Sequence, residues 1–301
     1  MKTARRSGAV VAIAALAVSC GAATTRLDAQ PTSGTRPDQA RIHEMVTAER
    51  AFSKLSADRG MKTAFLTYLA DSGVIFRPTA TNGKQSWNAR QNPGASLTWD
   101  PALGEMSYAG DLGMSTGPWK LTFPPERKQP AVHGRFLSMW RRQPDDSWKV
   151  EADIGISHEE PYHVAGTTFI AGPLHPAPGP AKEKLSLAAL DRAIGLGGGR
   201  GLGPSYRRTA TDDFKLLRDG HFMYDRAPDG LSAIDSLAGR YEFVNQGSGV
   251  AKSEDLAYSY GILERFESGS TTAADSTVYF HVWRRIPSGW RVSMAVLNPL
   301  R

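Results

Sequence analysis

The chain has 301 residues, enough for about two domains at ~150 residues each. With 41% hydrophobic and 22% charged residues and a single cysteine, it is neither disordered nor fibrous, and it has no intrachain disulfide, cysteine-bound zinc or iron–sulfur cluster. The formal charge of +6 falls to +3 once residues 1–19, with three basic and no acidic side chains, are set aside, too little to argue for nucleic acid as a partner.

Lys2, Arg5 and Arg6 form a basic leader, and residues 9–18 form an apolar run that is too short to span a bilayer. The run ends in Leu16-Ala17-Val18-Ser19-Cys20-Gly21. This resembles a bacterial lipobox with Ala17 in place of the usual leucine. Residues 1–20 are read as a signal peptide with lipidation on Cys20, and residues 21–37 as a polar tether. The expected location is outside the cytoplasm, on the periplasmic side of an outer membrane or extracellular. The lipid would be the only membrane contact. A soluble secreted protein with Cys20 incidental is the other reading.

Ile42, Met45, Val46, Phe52 and Leu55 lie at helical spacing, with Pro37 at the start and Gly60 at the end. A shorter helix is expected over 61–69 and a strand at Val74-Ile75-Phe76. Asn82-Gly83 reads as a turn. Longer β segments follow at about 103–109, 112–123, 133–142 and 147–156. Arg127-Lys128 and Arg141-Arg142 read as solvated strand ends.

The plan then repeats. The segment 134–142, ending in Trp140-Arg141-Arg142, matches 277–285, ending in Trp283-Arg284-Arg285. Trp148-Lys149-Val150 matches Trp290-Arg291-Val292, Glu49-Arg50-Ala51-Phe52 matches Asp191-Arg192-Ala193-Ile194, Asp71 matches Asp212, and Arg77 matches Arg218. The offset stays at 141–143 across these matches, which indicates duplication. The expected domains are 38–158 and 184–301. Between them, 159–183 is a proline-rich, semi-extended linker. The glycine-rich run 195–201 follows a helix and lacks the GxGxxG spacing, so it reads as a loop.

Glu49-Arg50-Ala51-Phe52, the segment 68–78, Asn82-Gly83-Lys84 and the paired Trp-Arg-Arg…Trp-Lys/Arg-Val, in this order, resemble the nuclear-transport-factor-2-like superfamily, above all its SnoaL-like and bacterial exported groups. The resemblance implies an α+β fold of two cone-shaped domains, each a curved antiparallel sheet wrapped around N-terminal helices. It also implies a conical pocket. Members include isomerases, dehydratases, cyclases and non-catalytic binding or association domains, so fold does not give function.

The ketosteroid isomerases of this superfamily place a general-base Asp just before the proline of the 71–78 strand. Here that position is Arg77, which cannot take a proton from carbon. Arg77 is read either as a partner for an anionic ligand or as an ion pair with Asp71 or another local acid. Asp153, on the last strand, is the remaining candidate acid. Strict alternation turns it outward unless a bulge intervenes. Tyr68, Trp87, Trp99, Tyr108 and Trp119 either line an apolar cavity or simply pack. Trp140 and Trp148, which recur in the second copy, read as core. His158 and His163 flank Pro161 and form no metal site, and no cofactor is expected.

Three functions stay open. The first is binding of a small hydrophobic or aromatic ligand in the first domain, with the second domain structural. The second is an isomerase, dehydratase or cyclase using Asp153 and Arg77. The third is a purely structural envelope protein. The two domains are expected to pair as an intramolecular pseudo-dimer through the outer faces of their last strands, with Arg291 facing Glu151 and with Ala295 and Leu297 as apolar contacts. Replacing Cys20→Ala should move the protein to the soluble fraction and abolish palmitate labelling. Unchanged membrane association would overturn the lipid anchor.

Overall fold

Apolar and small residues from Ile42 to Ser56 recur three and four apart, which gives a helix one buried face. That helix is α1, Pro37–Arg59, and the buried side chains include Ile42, Met45, Val46, Phe52, Ser53 and Ser56. The computed structural model describes residues 37–91, 94–161, 168–175, 185–196, 201–235 and 239–300. Cys20, residues 21–36 of the tether, His163 and residues 197–200 of the glycine-rich run lie outside the described residues, and Pro37, counted with the tether, opens α1. Gly60, at φ 84°, ends α1 in the left-handed region that glycine accepts without strain, and α2 (Met61–Tyr68) follows.

The first half-chain continues with β1 (Leu69–Phe76), β2 (Ala80–Asn82), α3 (Gly83–Asn88), β3 (Ser96–Trp99), β4 (Leu103–Met106), β5 (Leu112–Thr122), β6 (Val132–Arg142), β7 (Trp148–His158) and β8 (Ile170–Ala171). The second half-chain contains α4 (Leu187–Leu196), α5 (Gly203–Thr209), β9 (Ala210–Arg218), α6 (Ala227–Asp235), β10 (Arg240–Val250), β11 (Leu256–Phe266), β12 (Asp275–Ile286) and β13 (Gly289–Pro299). The first sheet has the order β2-β1-β7-β6-β5-β4-β8, with β3 paired to β5, and the second has the order β10-β11-β12-β13-β9. The fold is α+β. The sheets are mixed rather than antiparallel throughout, because β1 pairs with β7, and β9 with β13, in parallel. Asn82-Gly83 is not a hairpin turn: the Asn82 side chain accepts a hydrogen bond from the Gln85 amide and caps α3.

Each last long strand carries one extra residue. Val150 pairs with Trp140 and Ala152 with Met139, which leaves Glu151 as a bulge. In the second sheet Val292 pairs with Trp283 and Met294 with Val282, which leaves Ser293. A bulge reverses the inward–outward alternation beyond it. Trp148 and Val150 therefore face the interior of their own half, whereas Ala152, Ile154 and Ile156 face the other half. Likewise Val292, Ala295 and Leu297 turn inward, while Met294 and Val296 turn out.

The outward residues make a third core between the half-chains. Leu112, Met114, Leu137, Met139, Ile154 and Ile156 pack with Leu256, Tyr258, Val278, Phe280, Met294 and Val296. Polar contacts rim it reciprocally. The Lys252 amide donates to Asp111, and the Tyr108 amide donates to Asp255. Asp111 and Asp255 are matched residues, as are Tyr108 and Lys252, so the same contact is made twice, as across a two-fold axis. Both loops open the motif Asp-Leu-x-x-Ser-x-Gly, at 111–117 and 255–261. Its glycine admits a close backbone: a Cβ on Gly117 or Gly261 would sit about 2 Å from the carbonyl oxygen of Asp100 or Val244. The Arg291–Glu151 contact expected from alternation does not form, because both side chains have other partners. Arg291 donates to the Trp290 carbonyl, and Glu151 accepts from Arg141 and Tyr258. Arg141 is thus not a solvated strand end: it also pairs with Asp111 at 3.1 Å and donates to the Val250 carbonyl.

Part of the expected linker is docked. Ile170 and Ala171 pair with Leu103 and Gly104 of β4, and this brings His175 into the interface. Its Nε2 lies 2.6 Å from Glu105 Oε1 and its Nδ1 lies 2.7 Å from Asp255 Oδ2. Arg284 grips Glu105 with Nε at 2.5 Å and Nη2 at 2.9 Å, and reaches Asp213 at 2.8 Å with Nη1. Burial pushes the imidazole down, but the Asp255 and Glu105 carboxylates outweigh it and raise His175 from 6.5 to about 9. Burial pushes Glu105 up, but Arg284 and His175 hold it at about 2.

A group raised on folding stabilises fully below its unfolded value, and that stabilisation is lost as pH rises through its folded value. The His175 contribution is therefore complete below 6.5 and disappears towards about 9. The Glu105 contribution holds above 4.5 and is lost only as pH falls towards about 2. The unfolding midpoint should fall between roughly neutral pH and about pH 9, and His175→Ala should flatten that decline. Arg284→Met should cost about 3–5 kcal/mol, since it takes the guanidinium from the buried Glu105 carboxylate. A midpoint indifferent to both changes would refute the role of this cluster.

Candidate functional site

The middle of the buried α1 face carries the acid Glu49. It is fully buried and accepts hydrogen bonds from Trp99 Nε1 at 2.6 Å, Ser115 Oγ at 2.5 Å and Trp140 Nε1 at 2.7 Å. Burial raises its carboxyl to about 7, against these three donors. The second half-chain repeats the arrangement. Asp191 of α4 accepts from Ser259 Oγ at 2.9 Å, Tyr279 OH at 2.8 Å and Asn245 Nδ2 at 2.9 Å. Trp283 Nε1 donates to Ser259 Oγ at 2.8 Å. The His281 ring lies 2.8 Å from Asp191 and 2.6 Å from Tyr206 OH. Burial raises Asp191, but the His281 ring, Asn245 and Tyr279 more than offset it and hold it below the usual carboxylate range. Tyr206, Tyr279, Phe243 and Trp283 fill that interior, none more than 4% exposed.

In the first half-chain the space between the helices and the concave face of the sheet stays open. A cavity of about 660 Å³ is walled by Phe52, Phe65, Trp87, Trp99, Trp119 and Phe136, with Glu49, Ser138 and Asp153 as polar lining. Trp119 of β5 lies across Gly134 and Gly155, because any Cβ on Gly134 would collide with the indole or with the Ile156 carbonyl. The Glu151 bulge turns Asp153 towards the cavity, where Ser138 Oγ donates to its Oδ1 at 3.1 Å. Burial raises this carboxyl to about 6, against the Ser138 hydrogen bond and the Arg77 charge.

Arg77, Arg90 and Arg127 lie exposed where the cavity opens. Arg77 has no ion pair with Asp71, which binds Lys84 at 2.6 Å instead. Its guanidinium stands 5.1 Å from the centre of the Trp87 ring. Partial burial and the neighbouring Arg90 charge lower the Arg77 pKa, and Asp153 acts against them.

Arg77, Trp87, Trp99, Trp119 and Asp153 thus meet around one cavity. Tyr68 and Tyr108 do not. Tyr68 stacks on Phe52 with ring centres 5.0 Å apart, behind the wall. Tyr108 sits in the loop that contacts the second half-chain. His158 packs on Phe222, and no group of three potential metal ligands occurs among the described residues. The sequence reading missed Glu49 and Arg90 as site residues and took Arg127 only for a solvated strand end. Glu49 had a signal, an acid at helical spacing between Val46 and Phe52 on an apolar face.

No family model and no curated protein matches the sequence. Solved structures resemble parts of the chain. A nuclear-transport-factor-2-like protein of unknown function from Shewanella oneidensis is 16% identical, with TM-score 0.31, over 37% of this chain and 95% of that one. A nuclear-transport-factor-2-like superfamily protein from Salmonella enterica is 14% identical, with TM-score 0.33, over 42% and 96%. A ketosteroid isomerase-like protein from Erwinia carotovora is 18% identical, with TM-score 0.29, over 38% and 92%. Each half-chain packs its helices against a mixed sheet with the strand order and parallel seam described above. No helix among the described residues is long and apolar enough to cross a membrane.

Asp153 supplies a direct test of the site's electrostatics. Its raised value means that the protein loses stability as pH rises through about 6. Asp153→Asn cannot ionise, so its unfolding midpoint should fall less between pH values of about 5 and 7.5 than that of the parent. Parallel curves would show that the carboxyl is not in this buried setting.

Proposed function

We propose that the first half-chain is a binding domain for a small hydrophobic or aromatic molecule, and that the second half-chain is its structural mate. The protein would work outside the cytoplasm, held to a membrane by lipid on Cys20. The observation that carries the binding role is the open cavity of about 660 Å³ with aromatic walls, a size and lining suited to a ligand of a few rings. The matched interior in the second half is occupied by Tyr206, Tyr279 and a buried hydrogen-bond network. The export and anchoring rest on the Leu16–Gly21 pattern alone.

One observation favours a second reading. Asp153, raised to about 6, points into the cavity beside Ser138. A carboxyl poised near neutrality is suited to moving a proton, so an isomerase, dehydratase or cyclase would use Asp153, with Arg77 holding an anionic oxygen.

Native mass spectrometry of the mature protein should show a retained small molecule. The neutral fluorophore N-phenyl-1-naphthylamine should bind, and Trp119→Ala should weaken it about tenfold, because a buried aromatic contact is lost. Under the binding role Asp153→Asn changes that affinity less than about twofold. Under the enzyme role the same change abolishes turnover while the fold persists. Absence of both adduct and probe binding would leave only a structural envelope role.

A further inference from the structure

Three of the charged side chains that line the cavity are cationic, and all three stand at its opening. Arg77 and Arg90 repel each other there, and neither is ion-paired with a carboxylate among the described residues, where the ion pairs fall elsewhere. Arg127 adds a third guanidinium at the same opening. The nearest carboxylate charge in the cavity, Asp153, lies further in and is held by Ser138. Like charges gathered beside an apolar chamber are relieved when an anion binds between them. A guanidinium is the side chain best matched to a carboxylate or sulfonate, by two parallel hydrogen bonds. Inside, Phe65, Trp87, Trp99 and Trp119 offer ring faces and edges, while the Asp153 carboxyl disfavours a second negative group at depth.

We propose that the ligand of this cavity is an amphipathic organic anion. Its ring-bearing apolar body lies against Trp87, Trp99 and Trp119, and its single carboxylate or sulfonate head is held at the opening by Arg77 and Arg90, with Arg127 alongside. The inference rests on the cavity being a ligand site, and it adds the polarity and orientation of what enters. The Trp87 ring ties the two ends together. It is stacked on Phe65 at 4.8 Å and carries the Arg77 guanidinium over its face, so one side chain forms both the apolar wall and the support of the cationic rim.

Two probes that differ by one anionic group separate this inference from the cavity reading beneath it. 8-Anilinonaphthalene-1-sulfonate carries the head, and N-phenyl-1-naphthylamine is the same ring system without it. The mature protein should bind the sulfonate at least about tenfold more tightly, and raising the salt concentration should erode that preference. The double change Arg77→Gln with Arg90→Gln should weaken the sulfonate about tenfold and leave the neutral probe unchanged. Arg192→Gln, on exposed α4 surface, should affect neither. If both probes bind the parent equally, or the double change weakens them equally, the anionic head is wrong and the cavity reading stands. If neither binds the folded parent, the cavity reading itself fails.

Discussion

One surplus residue on each last long strand sets what the two sheets face. Glu151 and Ser293 are bulges, and beyond each the strand presents to its own interior what alternation would have sent outward. In the first half-chain this single step does two things together. It gives Ile154 and Ile156 to the core between the half-chains, and it turns Asp153 towards the cavity. In the second half-chain the same step turns Ala295 and Leu297 inward and Met294 and Val296 outward. A shift of one residue in the first of these strands would place the Asp153 carboxyl in an apolar seam and Ile154 and Ile156 in the chamber. The interface and the site are therefore set by one local feature of the backbone.

The two interiors start from the same device and end differently. In each, a carboxylate on the first helix accepts from a serine of the neighbouring sheet and lies in the network of a tryptophan, Glu49 with Ser115 and Trp140, Asp191 with Ser259 and Trp283. These bonds fix the helix over the sheet. What surrounds them decides the rest. Where the first half has Phe136, Ser138 and Asp153, the second has Tyr279, His281 and Ala295. Tyr279 and His281 bond to Asp191, Tyr206 bonds to His281, and together they close the chamber. The first set leaves the Asp153 carboxyl facing open space.

Much of the fold was legible in the sequence because it rests on periodicity and repetition. The amphipathic spacing of Ile42, Met45, Val46 and Phe52 gave α1, and the recurring Trp-Arg-Arg gave the paired sheets and the duplication. The bulges were not legible, since nothing in the composition of 148–156 distinguishes an extra residue from a regular one. The faces assigned to Asp153, Arg291, Ala295 and Leu297 depended on that residue. Contacts between residues far apart in the chain were equally hidden: Arg284 and Glu105 are 179 positions apart, and His175 sits in a segment that composition describes only as proline-rich. The Asp-Leu-x-x-Ser-x-Gly repeat at 111–117 and 255–261 was visible but lies at a slightly larger offset than the other matches. It marks the loops that hold the half-chains together. Tyr68 and Tyr108 show the opposite error, aromatic residues counted for the site although one backs its wall and the other serves the interface.

The reciprocal loops at Asp111 and Asp255 are the geometry of a two-fold dimer, yet here both sides belong to one chain. In a dimer of identical subunits every substitution is made twice, so a change that empties one chamber empties the other, and a change that fills one fills both. Covalent fusion removes that coupling. One copy can give up its chamber for rigidity while the other keeps its chamber and the strain of a buried acid, and a side chain such as His175, which occurs once, can occupy the seam without needing a twin. The duplicated chain thus carries a heterodimer's freedom to specialise, with a mate that is always present at one to one.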